Sequence, residues 1–288
     1  MSSLSVDHEA VFSFPESGRS SAQPRSAAFL KQICATPKLA AVTPASRLEI
    51  RPAPDKVSSG ISSLDALTGG LPRGCLTEIC GPDSSGRTSL LLAALSAATR
   101  REEVCTLIDV SDAFHPYSAT AAGANLERLL WIRCGANAQS SFSRKRRPAT
   151  SLAEWERRRM EDPVEQALRA ADLLLQSRGF GMVAIDLAGV PLKMARRIPL
   201  TTWFRFRRAV ENTPTILLVI GQQSCAQSCA SLSIQLRTEN RELRTGFRPA
   251  HTELLAGMEI HAEVLNARGE RKRVQSASDF ASKTAWTA

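Results

Sequence analysis

The sequence predicts an α/β fold, with a mostly parallel central sheet flanked by helices and an antiparallel hairpin at its C-terminal edge. Three observations support this class. Short apolar segments of strand length alternate with longer segments of helical pattern. The apolar segments are almost continuously hydrophobic, as parallel strands buried on both faces are. A Gly- and Ser-rich loop, GPDSSG, also joins one such strand to a helix.

The predicted elements follow one another in a regular order. The strand LTEIC leads through GPDSSG into the helix RTSLLLAALSAATRR, and VCTLIDV is the next strand. A short helix in ANLERLLWIRC carries the chain into a third strand. The helix EDPVEQALRAADLLLQSRG, with Pro163 suited to its first turn, precedes the strand GMVAIDLAGV. The helix TTWFRFRRAVEN precedes the strand TILLVIGQQ. LSIQLR and MEIHAEVL alternate more in hydrophobicity, so we expect them to be antiparallel additions.

Composition divides the 288 residues into three regions. Residues 1–55 are rich in Ser, Pro and charge at their start, and we expect a disordered or linker segment with one short helix. Residues 56–273 carry the alternating pattern and form the predicted folded domain. A basic insertion interrupts this domain at about 138–160, and residues 274–288 are expected to be a disordered tail.

Charge and cysteine content restrict the environment and the partners. The net charge of +9 is compatible with an anionic partner such as nucleic acid, and equally with an ordinary basic protein. Seven scattered cysteines fit buried thiols in a reducing compartment. The N-terminus has no secretory pattern, and no run of 18 apolar residues indicates a membrane span. The sequence therefore favours a cytoplasmic location without membrane contact.

The stretch from Gly81 to Ser89 has the layout of a phosphate-binding loop, G-x-x-x-x-G-K-[ST], with Arg87 in place of lysine. Gly81 and Gly86 allow the backbone to approach phosphate closely, at a helix N-terminus that favours negative charge. Thr88 is positioned to offer its hydroxyl to Mg²⁺. Guanidinium is wider and planar where ammonium is compact, so we expect binding to survive better than turnover.

A nucleoside triphosphatase of this type also needs a carboxylate at the end of a neighbouring strand, to position Mg²⁺ or its water. Asp186, which closes GMVAID, is the first candidate. Asp109, which closes VCTLID, is the second, and for Asp109 we favour a role in a turn.

These residues resemble the RecA recombinase family. The resemblance runs from VSSGISSLDALTGGLPRG through LTEICGPDSSGRTSLLL to LIDVSDAFHP and GMVAIDLAGV, and more weakly to about Arg273. It implies a RecA-like core that binds ATP and Mg²⁺. It also implies that Asp186 is the magnesium-side aspartate and that Gln222 senses the γ-phosphate and relays to the DNA-binding loop. The residues that match the nucleotide loop are Gly81, Ser84, Ser85, Gly86, Arg87, Thr88 and Ser89.

The catalytic positions depart from the family. Its water-activating glutamate corresponds to Ser111, which cannot act as that base. Asp112 is adjacent and is the one substitute in sequence, although a shift of one residue points its side chain elsewhere. The position that stacks on adenine is Ser118, with Tyr117 next to it as the alternative.

The DNA-binding loops depart as well. The family's second loop is long and glycine-rich, whereas this chain has only QSCAQSCAS. The first loop is shortened to VPLKMARRIPL, so Lys193, Arg196 and Arg197 are the DNA-contact candidates.

The departures together resemble the ImuA family, the RecA-like accessory proteins of bacterial mutagenesis cassettes. This resemblance implies an ATP-binding protein of DNA repair, recombination or SOS-type damage-induced mutagenesis, with weak or no hydrolysis. Two alternatives stay open: a DNA-dependent ATPase that forms filaments on single strands, and a regulator that has lost nucleotide binding. The partners implied are single-stranded DNA, an error-prone polymerase or RecA itself, and further copies of the chain.

Overall fold

The computed structural model describes residues 53–134, 162–238, 257–267 and 276–283. Ten strands lie in these ranges: β1 (Lys56–Val57), β2 (Leu71–Pro72), β3 (Cys75–Cys80), β4 (Cys105–Asp109), β5 (Leu129–Arg133), β6 (Met182–Asp186), β7 (Ile216–Gly221), β8 (Leu232–Thr238), β9 (Gly257–Ala267) and β10 (Ala277–Lys283). Six α-helices accompany them: α1 (Ser62–Thr68), α2 (Arg87–Arg100), α3 (Pro116–Ala121), α4 (Pro163–Ser177), α5 (Leu192–Ala195) and α6 (Leu200–Val210).

Eight of the described strands form one mixed sheet, in the order β10-β9-β8-β3-β7-β6-β4-β5. Strands β5, β4, β6, β7, β3 and β8 are parallel, and β9 and β10 continue the sheet antiparallel. β1 and β2 pair with each other in a separate two-stranded ribbon. The predicted α/β class with an antiparallel C-terminal edge is therefore confirmed. LSIQLR differs in one respect, because β8 lies parallel to β3 and is antiparallel only to β9.

Both faces of the sheet are covered, as the continuously apolar strands require. Side chains from α1, α2 and α3 form one core cluster with one face of the strands. Side chains from α4, α5 and α6 form a second cluster on the opposite face, centred on Trp203 and Phe206. Strands β3 and β7 are neighbours in the middle of the sheet, and β7 is buried along its whole length, so the loop that follows β3 lies at the end of a central strand.

Helix boundaries follow local signals in the sequence. Helix α4 begins after Asp162, whose carboxylate accepts a hydrogen bond from the Val164 amide at 3.0 Å, and Pro163 occupies its first turn. It ends at Ser177, and the C-cap residue Arg178 has a left-handed backbone with φ of 56°. No helix among the described residues has the length and apolarity needed to cross a bilayer.

The prediction of a disordered tail from residue 274 is wrong for residues 277–283, which form β10. This strand pairs along its length with β9, from Ala277 opposite Glu263 to Lys283 opposite Gly257. Phe280 is its one large apolar side chain and packs against the core. This segment has little hydrophobic alternation, and it forms a strand because the backbone groups of β9 are available for pairing. No local sequence pattern predicts such pairing. The expectations for residues 1–52, the basic insertion and residues 284–288 concern parts of the chain outside the described residues.

Candidate functional site

The loop from Gly81 to Gly86 joins β3 to α2 at the carboxyl edge of the sheet. A side chain at Gly81 would place its Cβ 2.4 Å from the Leu236 carbonyl oxygen, so only glycine fits there. Gly86 caps α2 with a φ of 88°, which is a left-handed conformation that glycine adopts without strain. Its Cβ would also lie 2.2 Å from Cδ1 of Ile260 in β9. Gly81 is therefore required by its close neighbours, and Gly86 by its backbone conformation as well as by Ile260.

Two buried polar atoms, one in this loop and one in the first residue of α2, make no hydrogen bond within the protein. The Arg87 side chain is 8% exposed, and its Nη2 donates to Oδ1 of Asp83 at 3.0 Å. Its Nη1 is buried and makes no hydrogen bond, and the same holds for the Ser85 hydroxyl. Buried polar atoms are normally satisfied. An anion at the N-terminus of α2 would supply acceptors to both, so the residues present fit a bound phosphate.

The hydroxyls of the loop have different surroundings. Thr88 is exposed in the first turn of α2, where its hydroxyl is accessible to a ligand-bound cation. Ser84 is also exposed and has a left-handed backbone with φ of 61°. The Ser89 hydroxyl lies 2.9 Å from that of Ser282 in β10. Ser89 therefore contacts β10, the edge strand of the sheet.

Asp109 ends β4 as a fully satisfied carboxylate. Its Oδ1 accepts from the amides of Ser111 and Ala113 at 3.2 and 3.1 Å, and its Oδ2 accepts from the amide of Phe114 at 2.9 Å and from Nε1 of Trp131 at 3.2 Å. Four donors leave little capacity for a ligand. The turn role expected for Asp109 agrees with this geometry.

Asp186 ends the adjacent strand β6, directly opposite Asp109 in the register. Its Oδ1 accepts one hydrogen bond, from the Ala188 amide at 2.8 Å. Burial raises the pKa of Asp186 to about 6, and the charge of Asp109 adds to the rise, while the Ala188 hydrogen bond and Arg87 oppose it. A bound cation would relieve this cost, and the carboxylate has acceptor capacity left for one.

Neither residue at the expected base position offers a free carboxylate. The Ser111 hydroxyl is buried without a hydrogen-bond partner, and it packs so closely on Gly189 that a Cβ there would lie 2.4 Å from it. Asp112 forms a two-pronged ion pair with Arg133, Nε to Oδ1 and Nη2 to Oδ2, both at 2.6 Å. The hydrogen bond from Arg133 lowers the pKa of Asp112. The sequence candidate Asp112 is thus a paired, weakly basic carboxylate, turned to the end of β5.

The segment around His115 carries the two residues considered for stacking on adenine, Tyr117 and Ser118. The imidazole Nδ1 of His115 accepts from the Ser118 amide at 3.2 Å and lies 2.9 Å from the Ser118 hydroxyl, so Ser118 is engaged in capping α3. Tyr117 is 81% exposed, and its ring centroid lies 5.6 Å from that of His115. Of the two residues considered for stacking on adenine, Ser118 and Tyr117, only Tyr117 has an exposed ring.

Gln222 follows β7 and connects it to the segment after β6. Its Nε2 donates to the Ala188 carbonyl at 3.0 Å. The next residue, Gln223, accepts from Nη2 of Arg196, which lies just after α5. Two side-chain contacts therefore join the end of β7 to the segment that carries the basic residues.

Sequence reasoning missed Glu78, which anchors the loop after β7. This carboxylate lies within β3, is 1% exposed, and accepts from the Ser224 hydroxyl at 2.5 Å and from the amides of Cys225 and Ala226 at 2.6 and 2.9 Å. The side chains of Cys225, Ala226, Cys229 and Ala230 are buried in the core. The signal was visible in LTEIC, because an acidic residue inside a buried strand needs dedicated donors. Residues 224–226 are thereby held against the protein body.

The three DNA-contact candidates lie together on and beside α5. Lys193, Arg196 and Arg197 are all exposed. Arg197 also lines a cavity of about 150 Å³ whose wall includes Asp162 and Glu165. The basic surface is therefore bordered by carboxylates on the side of α4.

Comparison with known proteins identifies one family over part of the chain. Residues 45–140 match the family described as the RecA N-terminal domain. The chain is 31% identical over 134 residues to Protein RecA of Ectopseudomonas oleovorans, which is 46% of this chain and 31% of that protein. It is 33% identical over 134 residues to Protein RecA of Psychrobacter cryohalolentis, covering 46% of this chain and 30% of that protein.

The chain thus spans about a third of the length of the curated relatives it matches. The residues matched to the family hold β3, the phosphate loop, α2 and β4 with Asp109. Over this segment the chain is similar to the N-terminal domain of RecA.

Proposed function

We propose that this protein binds ATP with Mg²⁺ at the loop Gly81–Ser89 and acts in DNA repair or recombination. The observation that carries the proposal is the pair of buried groups without partners, Nη1 of Arg87 and Oγ of Ser85, in a loop whose glycines permit close approach. The similarity to RecA over residues 45–140 supports the choice of a nucleotide and of a DNA-related role.

In this proposal each residue has a defined task. The loop amides and Arg87 hold the phosphates, and Thr88 with Asp186 hold Mg²⁺ or its water molecules. The cation, when bound, neutralises phosphate charge and lowers the barrier to attack on the γ-phosphate. Gln222 would sense the γ-phosphate and pass its presence to the segment after β6 through Ala188.

We propose further that hydrolysis is weak or absent. A general base near the γ-phosphate is worth about 10²–10⁴ in rate, and Ser111 and the Arg133-paired Asp112 do not supply one. Arg87 in place of lysine puts a wide guanidinium where a compact cation is expected. Nucleotide would then stabilise a conformation without driving a cycle.

The finer assignment is to the ImuA type, an accessory protein of damage-induced mutagenesis that works with an error-prone polymerase or with RecA. It is motivated by the simultaneous loss of the catalytic glutamate and of the long second DNA loop. The anchoring of that loop by Glu78 fits a protein that does not use it to contact DNA.

Equilibrium binding of a fluorescent ATP analogue tests the proposal. Saturable affinity should depend on Mg²⁺, and Thr88→Val should remove the Mg²⁺-dependent part. Thr88 is exposed, so this variant should keep its fold, whereas valine at Gly86 would collide with Ile260. Thr120→Val, at another exposed helical threonine, is the matched control. Absence of saturation at millimolar nucleotide would refute nucleotide binding.

A further inference from the structure

The ion pair between Asp83 and Arg87 occupies the phosphate loop itself. These residues are four apart across the junction of the loop with α2, and Nη2 of Arg87 lies 3.0 Å from Oδ1 of Asp83. The two partners differ greatly in exposure, since the Asp83 side chain is 86% exposed and that of Arg87 only 8%. A solvated carboxylate at the rim therefore engages a buried cation.

This pair divides the guanidinium between two functions. One terminal nitrogen, Nη2, is committed to Asp83, while the other, Nη1, is buried without a partner. A lysine at this position would be a single point charge on a flexible stem, whereas the planar fork of arginine has donors in fixed directions. Nη1 can therefore donate to a phosphate directly, whereas Nη2 can do so only when the Asp83 carboxylate leaves it.

The pair also reduces the attraction of the loop for an anion. Arg87 and Asp83 together carry no net charge, so the loop without ligand has little positive potential beyond that of the helix N-terminus. A phosphate bound to Arg87 would also lie close to the Asp83 carboxylate. The two negative charges would repel each other, and the repulsion energy would be larger where water is excluded. Releasing Asp83 costs little hydration, because its carboxylate already faces solvent.

We propose that Asp83 is a latch on Arg87: its carboxylate holds the guanidinium in the ligand-free loop and competes with the nucleotide phosphates for it. This inference rests on the proposed binding of ATP at the loop. Phosphate binding is then an exchange of one acceptor for another at Nη2, and Asp83 sets the affinity below the value that the loop would otherwise reach. Asp83 is a positioning residue in this scheme and makes no contact that holds the ligand.

The test is the affinity of the full chain for a fluorescent ATP analogue with Mg²⁺, at low and at high salt. Asp83→Asn keeps the shape of the side chain and removes its charge, and it should lower the dissociation constant about threefold to tenfold. The gain should shrink at high salt, because Asp83 is exposed. Asp83→Glu keeps the charge and should bind as the native chain does.

Two further variants separate the latch from simple repulsion. In an Arg87→Gln background there is no guanidinium to release. The factor by which Asp83→Asn lowers the dissociation constant should therefore be at least about threefold smaller there than in the native background. The charge control is Asp172→Asn, which breaks an exposed ion pair with Arg205 on the opposite face of the sheet and should leave affinity unchanged.

The outcomes are distinct. Saturable native binding that Asp83→Asn leaves unchanged or weakens would overturn the latch and leave nucleotide binding intact. An equal gain in the native and Arg87→Gln backgrounds would also overturn it, since repulsion alone would explain both. Absence of saturation in the native chain and every variant would refute nucleotide binding, and the latch with it.

Discussion

Asp109 and Asp186 end adjacent parallel strands and lie opposite each other in the register, yet their carboxylates have unequal support. Asp109 accepts from three backbone amides and from the Trp131 indole, whereas Asp186 accepts from the Ala188 amide. The unequal support separates two roles, because a saturated carboxylate fixes its own loop and a poorly supported one retains capacity for a cation.

Asp186→Asn should stabilise the protein at neutral pH. The folded state holds the Asp186 proton up to about pH 6, and the unfolded chain releases it near about pH 4. The folded state therefore binds more protons in this window, and stability is lost as pH rises through it. The charged form then costs on the order of 2 kcal/mol at neutral pH. Chemical denaturation should show the gain of the variant at about pH 7.5 and a smaller one at about pH 5.

The same Asp186→Asn variant should lose Mg²⁺-dependent nucleotide affinity, since a neutral amide is a poorer cation ligand than a carboxylate. A more stable protein that binds ATP without regard to Mg²⁺ is the expected combination. Unchanged stability at neutral pH would mean that burial does not make the charged form of Asp186 unfavourable in the folded protein.

Asp109→Asn should be strongly destabilising. The amide nitrogen that replaces one carboxylate oxygen would face donors, either the Phe114 amide and Trp131 indole or the Ser111 and Ala113 amides. Leaving buried donors without acceptors costs about 2–4 kcal/mol in such networks. Urea denaturation measures the loss, and Trp131 fluorescence should shift as its indole is released. Asp172→Asn, at a more exposed ion pair, should change stability by less than about 1 kcal/mol.

Gln222→Ala should uncouple the nucleotide loop from the segment after β6. The alanine cannot donate to the Ala188 carbonyl, so bound nucleotide should no longer slow hydrogen exchange in residues 187–199. Affinity for ATP should fall by about tenfold or less, because the lost contact with the γ-phosphate is one hydrogen bond among those of the loop. Gln176→Ala, at an exposed helical glutamine, is the control. Retained nucleotide-dependent protection in Gln222→Ala would contradict the relay.

Replacing Lys193, Arg196 and Arg197 together by alanine should weaken single-stranded DNA binding at all sequences alike. Three lost phosphate contacts should reduce the slope of log affinity against log salt by about 2. A control variant replaces Arg100, Arg128 and Arg178 together by alanine. It removes the same charge at the amino ends of the strands, since these residues precede β4, β5 and β6. Equal effects of the two variants on DNA binding would mean that the contribution is only net charge.

The native chain should hydrolyse ATP near background, with or without single-stranded DNA. Combining Arg87→Lys with Ser111→Glu restores both altered positions, and we expect a gain of at least about tenfold in this double variant. Gly189 must move for the longer side chain, since Ser111 already packs against it. Phosphate release measured beside the native protein decides the matter, and robust DNA-stimulated hydrolysis by the native chain is the contrary result.

Local chemistry in the sequence determined the fold class and the positions in the loop after β3 where only glycine fits. Continuous apolar strands and the pattern G-P-D-S-S-G-R-T need no knowledge of distant residues, because they reflect burial on two faces and backbone freedom at Gly81 and Gly86. The strand formed by residues 277–283 escaped prediction because its main stabilisation comes from pairing with β9.

Only the tertiary structure separated residues of the same chemical type. Asp109 and Asp186 end strands, and Asp112 lies in the loop just after one. Their roles depend on which donors approach them: amides of the following loop for Asp109, Arg133 for Asp112, and a single amide for Asp186. The role of Glu78 depends on residues 224–226, whose hydroxyl and amide groups donate hydrogen bonds to its carboxylate. The physical reason is that the free energy of a buried charge is set by neighbours brought together across the sheet, far apart in the chain.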